Sequence, residues 1–420
     1  MNGVRSVALG RLSRSVGTVF IGNLVARSLG VLFPIVVAHN LNQADFATTY
    51  FLISSGFFVA EFVTASYPTA MIQKLAAAED DSSRGRWIVG GALGGIPMLA
   101  LAVPTGAVVA TAGSAPPLLM GMVLVGLSID IYFFGILSGL QRFGLLVVYR
   151  IAANLAQIRL LLGLIALGVR SITAAIALYS FVYVLPIVAI EALHAPVRTA
   201  LRGAQRPTRS DLAQLTRFAI PSLAAGLAYG GILGLDVIMV RLLEPAALPA
   251  YSVARTLALP MMLVPLAVGV VVLPGAAARG PADQTRLLVR AWGATAILSL
   301  TAVGVYLVFG PRLVDMLFPS SFHDAIEPLR ALAPALGVLG LYTVLSQWSL
   351  GVGRPVAPAV SLSCGAFCGL VAHLLLTNQH GAVGAAVALG IGAAVALVLL
   401  GTATLTFHMH QAPQPGLPRL

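Results

Sequence analysis

The sequence predicts an all-α, polytopic membrane protein with about 12 transmembrane helices. Of its 420 residues, 58% are hydrophobic and only 9% are charged, and the mean hydropathy is +0.94. A soluble domain carries about 25% Asp, Glu, Lys and Arg, so this chain has too few charges to cover a water-exposed surface. Long unbroken apolar runs, such as 257–278 and 382–407, favour membrane-spanning helices over the short alternating strands of a barrel.

Each helix is predicted from an apolar run that is long enough to cross a bilayer. About 20 residues, rising about 1.5 Å each, span a hydrocarbon layer of roughly 30 Å. The runs between polar breaks give twelve spans: 15–38, 46–73, 87–110, 117–138, 145–168, 172–194, 217–240, 249–273, 288–310, 326–351, 355–377 and 382–407. An even number of spans places both termini on the same side of the membrane.

Basic residues identify the cytoplasmic side, because the loops on that side carry an excess of Lys and Arg. Of the 25 basic residues, 17 lie in the terminal segments or in loops after even-numbered spans, 4 lie in the opposite loops and 4 lie inside spans. The sequence therefore predicts cytoplasmic N- and C-termini. The net charge of +11 has the same origin. Since the basic residues are spread over short loops, no nucleic-acid partner is expected.

The chain is predicted to consist of two six-helix bundles. Residues 1–200 form the N-terminal bundle, residues 201–216 a cytoplasmic, arginine-rich linker, and residues 217–420 the C-terminal bundle. No extramembrane domain is predicted, because the outer loops are short.

Two motifs recur in the same order in both halves. Leu41–Tyr50, which opens the second span, corresponds to Leu242–Tyr251, which opens the eighth. Gly139–Arg142, which ends the fourth span, corresponds to Gly351–Arg354, which ends the tenth. Because each half has an even number of spans, the repeats run in parallel. A pseudo-symmetric pair with a substrate site between the halves is therefore expected.

An ordered set of motifs along nearly the whole chain carries a family resemblance. The set comprises an arginine-bearing first helix, the Leu41–Tyr50 turn, the Gly139–Phe143 end of span four, Asp236–Arg241 before Tyr251–Ala254, the Pro274–Arg279 end of span eight, and Leu317–Ala325 before Leu329–Leu332. With this set the sequence resembles the oligosaccharide flippases of the polysaccharide transporter family, within the MOP exporter superfamily. It departs from the commonest version by being short and by having Lys74 as its single lysine.

The resemblance implies a fold, a location and a function. Two bundles would form a MATE-like V around a central cavity in the bacterial inner (plasma) membrane. The protein would flip a lipid-linked (polyprenyl-diphosphate) oligosaccharide from the inner to the outer leaflet for surface polysaccharide synthesis. The lipid tail would remain in the bilayer through the opening of the V.

Polar groups inside the spans are the candidate site, because a charge in the bilayer costs roughly 2.5–3.5 kcal/mol on insertion scales. Arg27, Arg150 and Arg255 are predicted to bind the diphosphate, since a guanidinium stays charged and offers planar, bidentate donors to phosphate oxygens. Hydroxyl and amide groups predicted to bind the sugar belong to Asn23, Tyr50, Asn154, Gln157 and Tyr229. Arg150, Asn154 and Gln157 share one helix face, whereas Arg159 lies on the opposite face.

Three mid-helix carboxylates, Glu61, Asp130 and Asp236, are candidates for ion coupling through H+ or Na+. The membrane potential, worth about 2.3 kcal/mol per charge per 100 mV, is an equal alternative driving force. A structural interpretation of the same charges stays open. In that interpretation Asp236 pairs with Arg255, and Glu61 or Asp130 pairs with Arg27.

No catalytic site, metal or cofactor is predicted, and the protein is not expected to be an enzyme. Cys364 and Cys368 lie four apart in one apolar helix, which is not a zinc-binding pattern, and no P-loop motif is present. A MATE-like multidrug or cation antiporter is an alternative, although it favours an acidic cavity. A membrane glycosyltransferase, polymerase or ligase acting on lipid-linked sugars is a second alternative, although the outer loops are small for one.

Overall fold

The computed structural model of the chain describes residues 21–411, apart from residues 23, 27, 64–65, 79, 141, 183, 185–204, 278–280 and 355. Within this part the chain forms helices joined by short turns, without a strand. Seven of the described helices are long and apolar enough to cross a membrane. The prediction of an all-α, multi-pass membrane protein is confirmed.

The helices follow the predicted spans in order. The N-terminal half contains α1 (Leu24–Asn40), α2 (Gln43–Val63), α3 (Ser66–Ala77), α4 (Asp81–Ala112), α5 (Pro117–Gly139), α6 (Phe143–Ala166) and α7 (Ile172–Phe181). The C-terminal half contains α8 (Arg209–Leu243), α9 (Leu248–Ala258), α10 (Leu263–Ala277), α11 (Pro281–Leu317), α12 (Ile326–Gly351) and α13 (Val356–Gln411). Short 3₁₀ segments lie at Pro245–Ala247, Leu259–Met262 and Ser320–Ala325.

The thirteen described helices correspond to the twelve predicted spans as follows. The second span comprises α2 and α3, and the eighth comprises α9 and α10 with the 3₁₀ turn between them. In contrast, α13 contains the last two spans, because Gly381 (φ 54°, ψ −131°) breaks the helix between them. Residues 183–194 of the sixth predicted span lie almost entirely outside the described residues.

The two ends of the bundle can be distinguished by their turns. We call the end that carries the α4–α5 turn the outer end, and the end that carries the α5–α6 turn the inner end, after the predicted orientation. Two helices that start at the inner end, α4 and α8, have polar caps. Asp80 accepts the backbone N–H of Ser83 at the start of α4, and hydrogen bonds from Ser83 and Ser82 lower the pKa of Asp80 to about 2. At the start of α8, Thr208 and Asp211 form a capping box.

Burial of the helices repeats with a period of six spans. In the most hydrophobic stretch of α5, the fourth span, 56% of the residues are buried. In that of α12, the tenth span, 67% are buried. By contrast, the corresponding stretches of α4 and α11, the third and ninth spans, are each only 11% buried. In each half, therefore, the fourth span is central and the third lies at the periphery of the bundle.

The recurring Gly139–Arg142 and Gly351–Arg354 motifs form the same turn. The N–H of Arg142 donates to the carbonyl of Leu137, and the N–H of Arg354 donates to that of Ser349, both at 2.9 Å. Each motif glycine also lies at a close helix contact. A side chain at Gly139 would meet Leu75 at the end of the second span, and one at Gly351 would meet the chain near Leu273 at the end of the eighth. The local sequence repeat thus recurs as a repeated packing contact.

A close backbone approach between α5 and α7 gives a test of this packing. A methyl group at Gly126 would collide with the backbone of Ser180, whereas a methyl group at Gly121 of the same helix would meet nothing within 4 Å. We expect Gly126→Ala to destabilise the protein by about 1–3 kcal/mol through overpacking. Gly121→Ala, the matched control, should be neutral or stabilising by up to about 1 kcal/mol through helix propensity. Thermal unfolding in detergent measures both, and equal effects would contradict the contact.

Candidate functional site

A buried ion pair lies in the C-terminal half near the outer end. The Nε of Arg255 on α9 donates to Oδ2 of Asp236 on α8 at 2.8 Å. Asp236 is 0% exposed and Arg255 is 8% exposed. Asp236 lies seven residues before the end of α8, which places the pair about 10 Å below the outer end of that helix.

Two tyrosines at corresponding positions of the repeats meet at this pair. The hydroxyl of Tyr251 donates to Oδ2 of Asp236 at 2.8 Å. Tyr50, on α2 of the N-terminal half, accepts a hydrogen bond from Nη1 of Arg255 at 3.4 Å. The Leu41–Tyr50 and Leu242–Tyr251 motifs therefore end at the same ion pair, one from each half. The Arg255–Tyr50 bond joins the two halves in the interior.

Hydrogen bonds occupy the polar side-chain atoms of both residues of the pair. Nη2 of Arg255 donates to the carbonyl of Leu233, and Oδ1 of Asp236 accepts the backbone N–H of Val237 at 2.8 Å. All three guanidinium nitrogens and both carboxylate oxygens thus have partners. The structure thus contains the Asp236–Arg255 pairing of the structural interpretation. The roles of Asp236 in ion coupling and of Arg255 in substrate binding stay predictions.

His373 of α13 is buried in the same half, at 3% exposure, and its Nδ1 lies 3.2 Å from the hydroxyl of Thr377. It lies close enough to Asp236 for the two to interact electrostatically. The histidine is therefore packed within the C-terminal half as a core residue with a local hydrogen bond.

A second polar cluster lies nearer the inner end, between α5 and α6. Tyr149 donates to Oδ1 of Asp130 at 2.8 Å. The guanidinium of the next residue, Arg150, lies over the ring of Phe134 with its carbon 4.7 Å from the ring centroid. Arg150 also lies close enough to Asp130 to interact electrostatically. A guanidinium that stacks through its face keeps its in-plane N–H groups available for hydrogen bonds.

The polar stripe on α6 lies partly against α1. Nδ2 of Asn154 donates to the carbonyls of Ala26 on α1 and Arg150 on α6, both at 3.0 Å. One turn further, Gln157 is 2% exposed and its Nε2 has no acceptor within the described part of the chain. Arg159 is exposed on the other side of α6, as its position predicts. The stripe therefore lies beside the turn of α1 that precedes Arg27 in the sequence.

Several predicted site residues lie outside the described part of the molecule. Asn23 and Arg27 are not described, and the side chains of Glu61 and Tyr229 are not described although both residues lie in helices. The predicted pairing of Glu61 or Asp130 with Arg27, and the side of the cavity that these residues would form, therefore stay predictions.

Contacts between the halves at the inner end were not apparent from the sequence. The hydroxyls of Tyr67 and Thr216 lie 2.9 Å apart, and Nζ of Lys74 donates to Gln214 at 3.0 Å. Beside them, Ala70 of α3 packs against Leu215 and Ala219 of α8. These contacts join α3 to the start of α8, and the amphipathic pattern of each helix alone could not reveal which residues would meet.

The inner contacts also include Asp211, whose carboxylate lies 4.0 Å from Nε of Arg86 on α4. Burial raises the pKa of Asp211, but hydrogen bonds from Thr208 and the charges of Arg86 and Lys74 lower it by more, so its pKa lies below the ordinary value. The carboxylate is therefore ionised at neutral pH and faces the cations of the N-terminal half.

The halves also meet at the outer end. The side-chain amide of Gln43 donates to the carbonyl of Ser321, and the rings of Phe46 and Phe322 pack edge-on with centroids 5.2 Å apart. Both contacts join α2 to the 3₁₀ segment Ser320–Ala325. In this structure the two halves therefore touch at both ends, along α2, α3 and α4 on one side and the C-terminal half on the other.

A protein-family model matches more than half of the chain. Residues 12–276 match the family described as polysaccharide biosynthesis protein. Among curated protein sequences, none matches the chain significantly.

Solved structures similar to this one are transporters. One is the lipid II flippase MurJ in an inward closed conformation, with 14% identity, a TM-score of 0.75, and coverage of 92% of this chain and 87% of that one. Another is an inward-facing multidrug resistance MATE family transporter of the MOP superfamily, with 17% identity, a TM-score of 0.72, and coverage of 92% and 96%. A MOP superfamily transporter from Pyrococcus furiosus Vc1 matches with 14% identity, a TM-score of 0.56, and coverage of 94% and 95%. The fold is thus that of the MurJ and MATE proteins.

The buried pair can be tested by a double-mutant cycle. Asp236→Leu or Arg255→Leu alone should destabilise the protein by about 3–5 kcal/mol, because each leaves one buried charge without its partner. The double variant should recover most of that loss, since no unpaired charge remains. Thermal unfolding in detergent gives the comparison.

The exposed pair Glu327–Arg330, at 2.8 Å within one helix, is the control. Leu at either of its positions should change stability by no more than about 1 kcal/mol. Additive effects of the two buried substitutions would show that Asp236 and Arg255 do not act as a pair.

Proposed function

Since the chain belongs to the polysaccharide biosynthesis protein family, we propose that it flips a lipid-linked (polyprenyl-diphosphate) oligosaccharide from the inner to the outer leaflet. The fold of MurJ and MATE transporters supports movement of a substrate between two halves rather than chemistry on it. The protein would work by alternating access in a bacterial inner membrane, with both termini in the cytoplasm.

The observation that carries this proposal is the position of Arg150. Within the described residues its guanidinium makes no ion pair and instead stacks on Phe134. Stacking orients the charge while its N–H edges stay available, which suits bidentate contact with a phosphate. Arg150 lies seven residues from the start of α6, about 10 Å from the inner end, where a lipid headgroup would enter from the inner leaflet.

The Asn154–Ala26 hydrogen bond supports a role for Arg27 as well. Because that bond fixes α6 beside the turn of α1 that precedes Arg27, the two predicted diphosphate ligands belong to neighbouring helices. Sugar groups would extend toward Asn23, Gln157 and Tyr229. In contrast, Arg255 is committed to Asp236 and Tyr50, so its contact with substrate would require that pair to separate.

We propose that Asp130 is a better candidate for ion coupling than Asp236. Asp236 is already neutralised by Arg255 and hydrogen-bonded through both oxygens. Asp130 is partly exposed, and within the described part of the chain it accepts a hydrogen bond from Tyr149 but none from an arginine. A proton or sodium ion at Asp130, or the membrane potential acting on the cationic arginines, would then drive the cycle.

A cation or multidrug antiporter is the second candidate, and the MATE-like fold favours it equally. The embedded charges argue for an anionic substrate instead, since the described carboxylates Asp130 and Asp236 each have a tyrosine partner and Asp236 also has an arginine. The outer-end side chains give little support to an enzyme. His323 bonds to Asp315 at 2.9 Å in an exposed position, and the described residues contain no group of three or more potential metal ligands.

Flipping by reconstituted protein tests the proposal. Liposomes containing a fluorescent polyprenyl-diphosphate oligosaccharide should show transfer with the wild-type protein. Arg150→Gln should slow transfer at least about tenfold, because a charge-assisted phosphate contact contributes roughly 1.5–3 kcal/mol. Arg159→Gln, on the exposed opposite face of α6, is the matched control and should keep the wild-type rate. Arg27→Ala should abolish transfer.

Two results would contradict the proposal. One is wild-type transfer by both the Arg150 and Arg27 variants. The other is the absence of lipid transfer together with ion-driven transport of a cationic dye, which would favour the antiporter. Imposing a proton gradient, a sodium gradient and a membrane potential separately on the same liposomes identifies the driving force.

A further inference from the structure

A charged side chain joins the two halves at the outer end. Arg241, in the last turn of α8, donates from Nε to the carbonyl of Gly113 and from Nη2 to the carbonyl of Ser114, the latter at 3.5 Å. Its guanidinium carbon also lies 5.7 Å from the centroid of the Phe51 ring on α2. One arginine of the C-terminal half therefore contacts two helices of the N-terminal half.

The partner of Arg241 is the C-terminal end of α4. The last carbonyls of a helix accept no hydrogen bond within it and carry the negative end of the helix dipole. Gly113 is the C-cap of α4, and Ser114, which follows it, adopts a left-handed conformation with φ 53°. This turn presents two consecutive carbonyls to one guanidinium.

The contact is closely fitted around Gly113. A methyl group at this position would lie 2.5 Å from the Phe51 ring and 3.1 Å from Cγ of Arg241. Phe51 itself is 0% exposed. The absence of a side chain at Gly113 therefore allows Arg241 and Phe51 to approach the end of α4 together.

The chemistry of this contact differs from that of the Asp236–Arg255 pair. Arg241 is partly exposed and bonds to neutral carbonyls, and it has no ion-pair partner among the described residues. On separation, water can solvate both the guanidinium and the carbonyls, so no unpaired buried charge is created. A buried ion pair would leave such a charge and so resists opening. The Arg241 contact thus suits a joint that forms and breaks in each cycle.

We propose that Arg241 is the latch of the outer end: its contact with the α4 C-terminus holds the outer end closed, and its release accompanies outward opening. The latch rests on the proposed alternating-access function and adds a residue that controls it. Phe46 and Gln43 contribute neutral contacts at the same end. Arg241 adds the electrostatic contact that ties α8 directly to the loop between α4 and α5.

Two cysteine reporters measure the latch without any substrate. Cys364 and Cys368 are first replaced by Ala. The outer reporter is then Ala47→Cys, because Ala47 is 2% exposed on the helix α2 that carries Gln43, Phe46 and Tyr50. The inner reporter, in a separate protein, is Ala70→Cys, because Ala70 is 0% exposed in the inner contacts. Both reporters are labelled in detergent with a soluble maleimide.

Arg241→Gln should raise the labelling rate of the outer reporter about tenfold, because a charge-assisted contact that favours the closed state is lost. Labelling of the inner reporter should stay unchanged or become slower, as expected when one end opens and the other stays closed. Arg241→Lys keeps the charge but not the forked donor geometry and should give an intermediate rate. Arg312→Gln is the matched control, since Arg312 is also at the outer end but lies over Phe309 of its own helix.

Three outcomes would overturn the latch. They are an unchanged outer-reporter rate in a folded Arg241→Gln protein, an equal increase at the outer and inner reporters, and an equal increase with Arg312→Gln. If the glutamine variant does not fold, the lysine variant decides alone, and an outer-reporter rate equal to the parent's overturns the proposal. Because labelling uses no lipid-linked sugar, a failed latch and a failed flippase proposal are distinguished.

Discussion

The constraint on which the rest of the structure depends is that a charge inside a hydrocarbon layer must have a partner. The chain meets it in different ways at different depths. Near the outer end, Arg255 donates to Asp236, Tyr50 and the carbonyl of Leu233, and Tyr251 donates to Asp236. Nearer the inner end, Arg150 is stabilised by stacking on an aromatic face. The first arrangement uses all the nitrogens of the guanidinium, whereas the second leaves donors for a ligand.

The two halves share turns and packing but not charges. The Gly139–Arg142 and Gly351–Arg354 turns have the same hydrogen bond, and α5 and α12 are the buried helices of their halves. The Asp236–Arg255 ion pair, by contrast, belongs to the C-terminal half. The repeated scaffold thus carries its fixed interior charge in one of the two halves. Tyr50, from the other half, contacts that charge at a position matched by Tyr251.

Much of the fold could be predicted from the sequence, because the length of an apolar run is fixed by bilayer thickness and breaks between runs are polar. Both repeat motifs also correspond to observed turns, since a turn is a local structure. Of the site, the pairing of Asp236 with Arg255 was one of two open interpretations. The hydrogen bond from Tyr149 to Asp130, the stacking of Arg150 on Phe134 and the contacts of Arg241 were not predicted. Helical periodicity defines which residues share a face, but not which residue of another helix lies opposite.

The contacts that close the two ends differ from those that stabilise each half, and this difference follows from solvation. The Asp236–Arg255 contact within the C-terminal half is buried and charged on both sides, so separating it would leave a charge in a low-dielectric interior. Contacts between the halves at the inner end are a hydroxyl pair, a bond from a partly exposed lysine to a side-chain amide, and the longer Asp211–Arg86 ion pair, whose arginine is partly exposed. At the outer end they include a ring pair, an amide and a guanidinium on carbonyls. The polar groups among these can exchange their partners for water at little cost. When the strongest interactions of a molecule lie inside one half and the weaker ones lie between the halves, the interface between the halves can rearrange without unfolding either half.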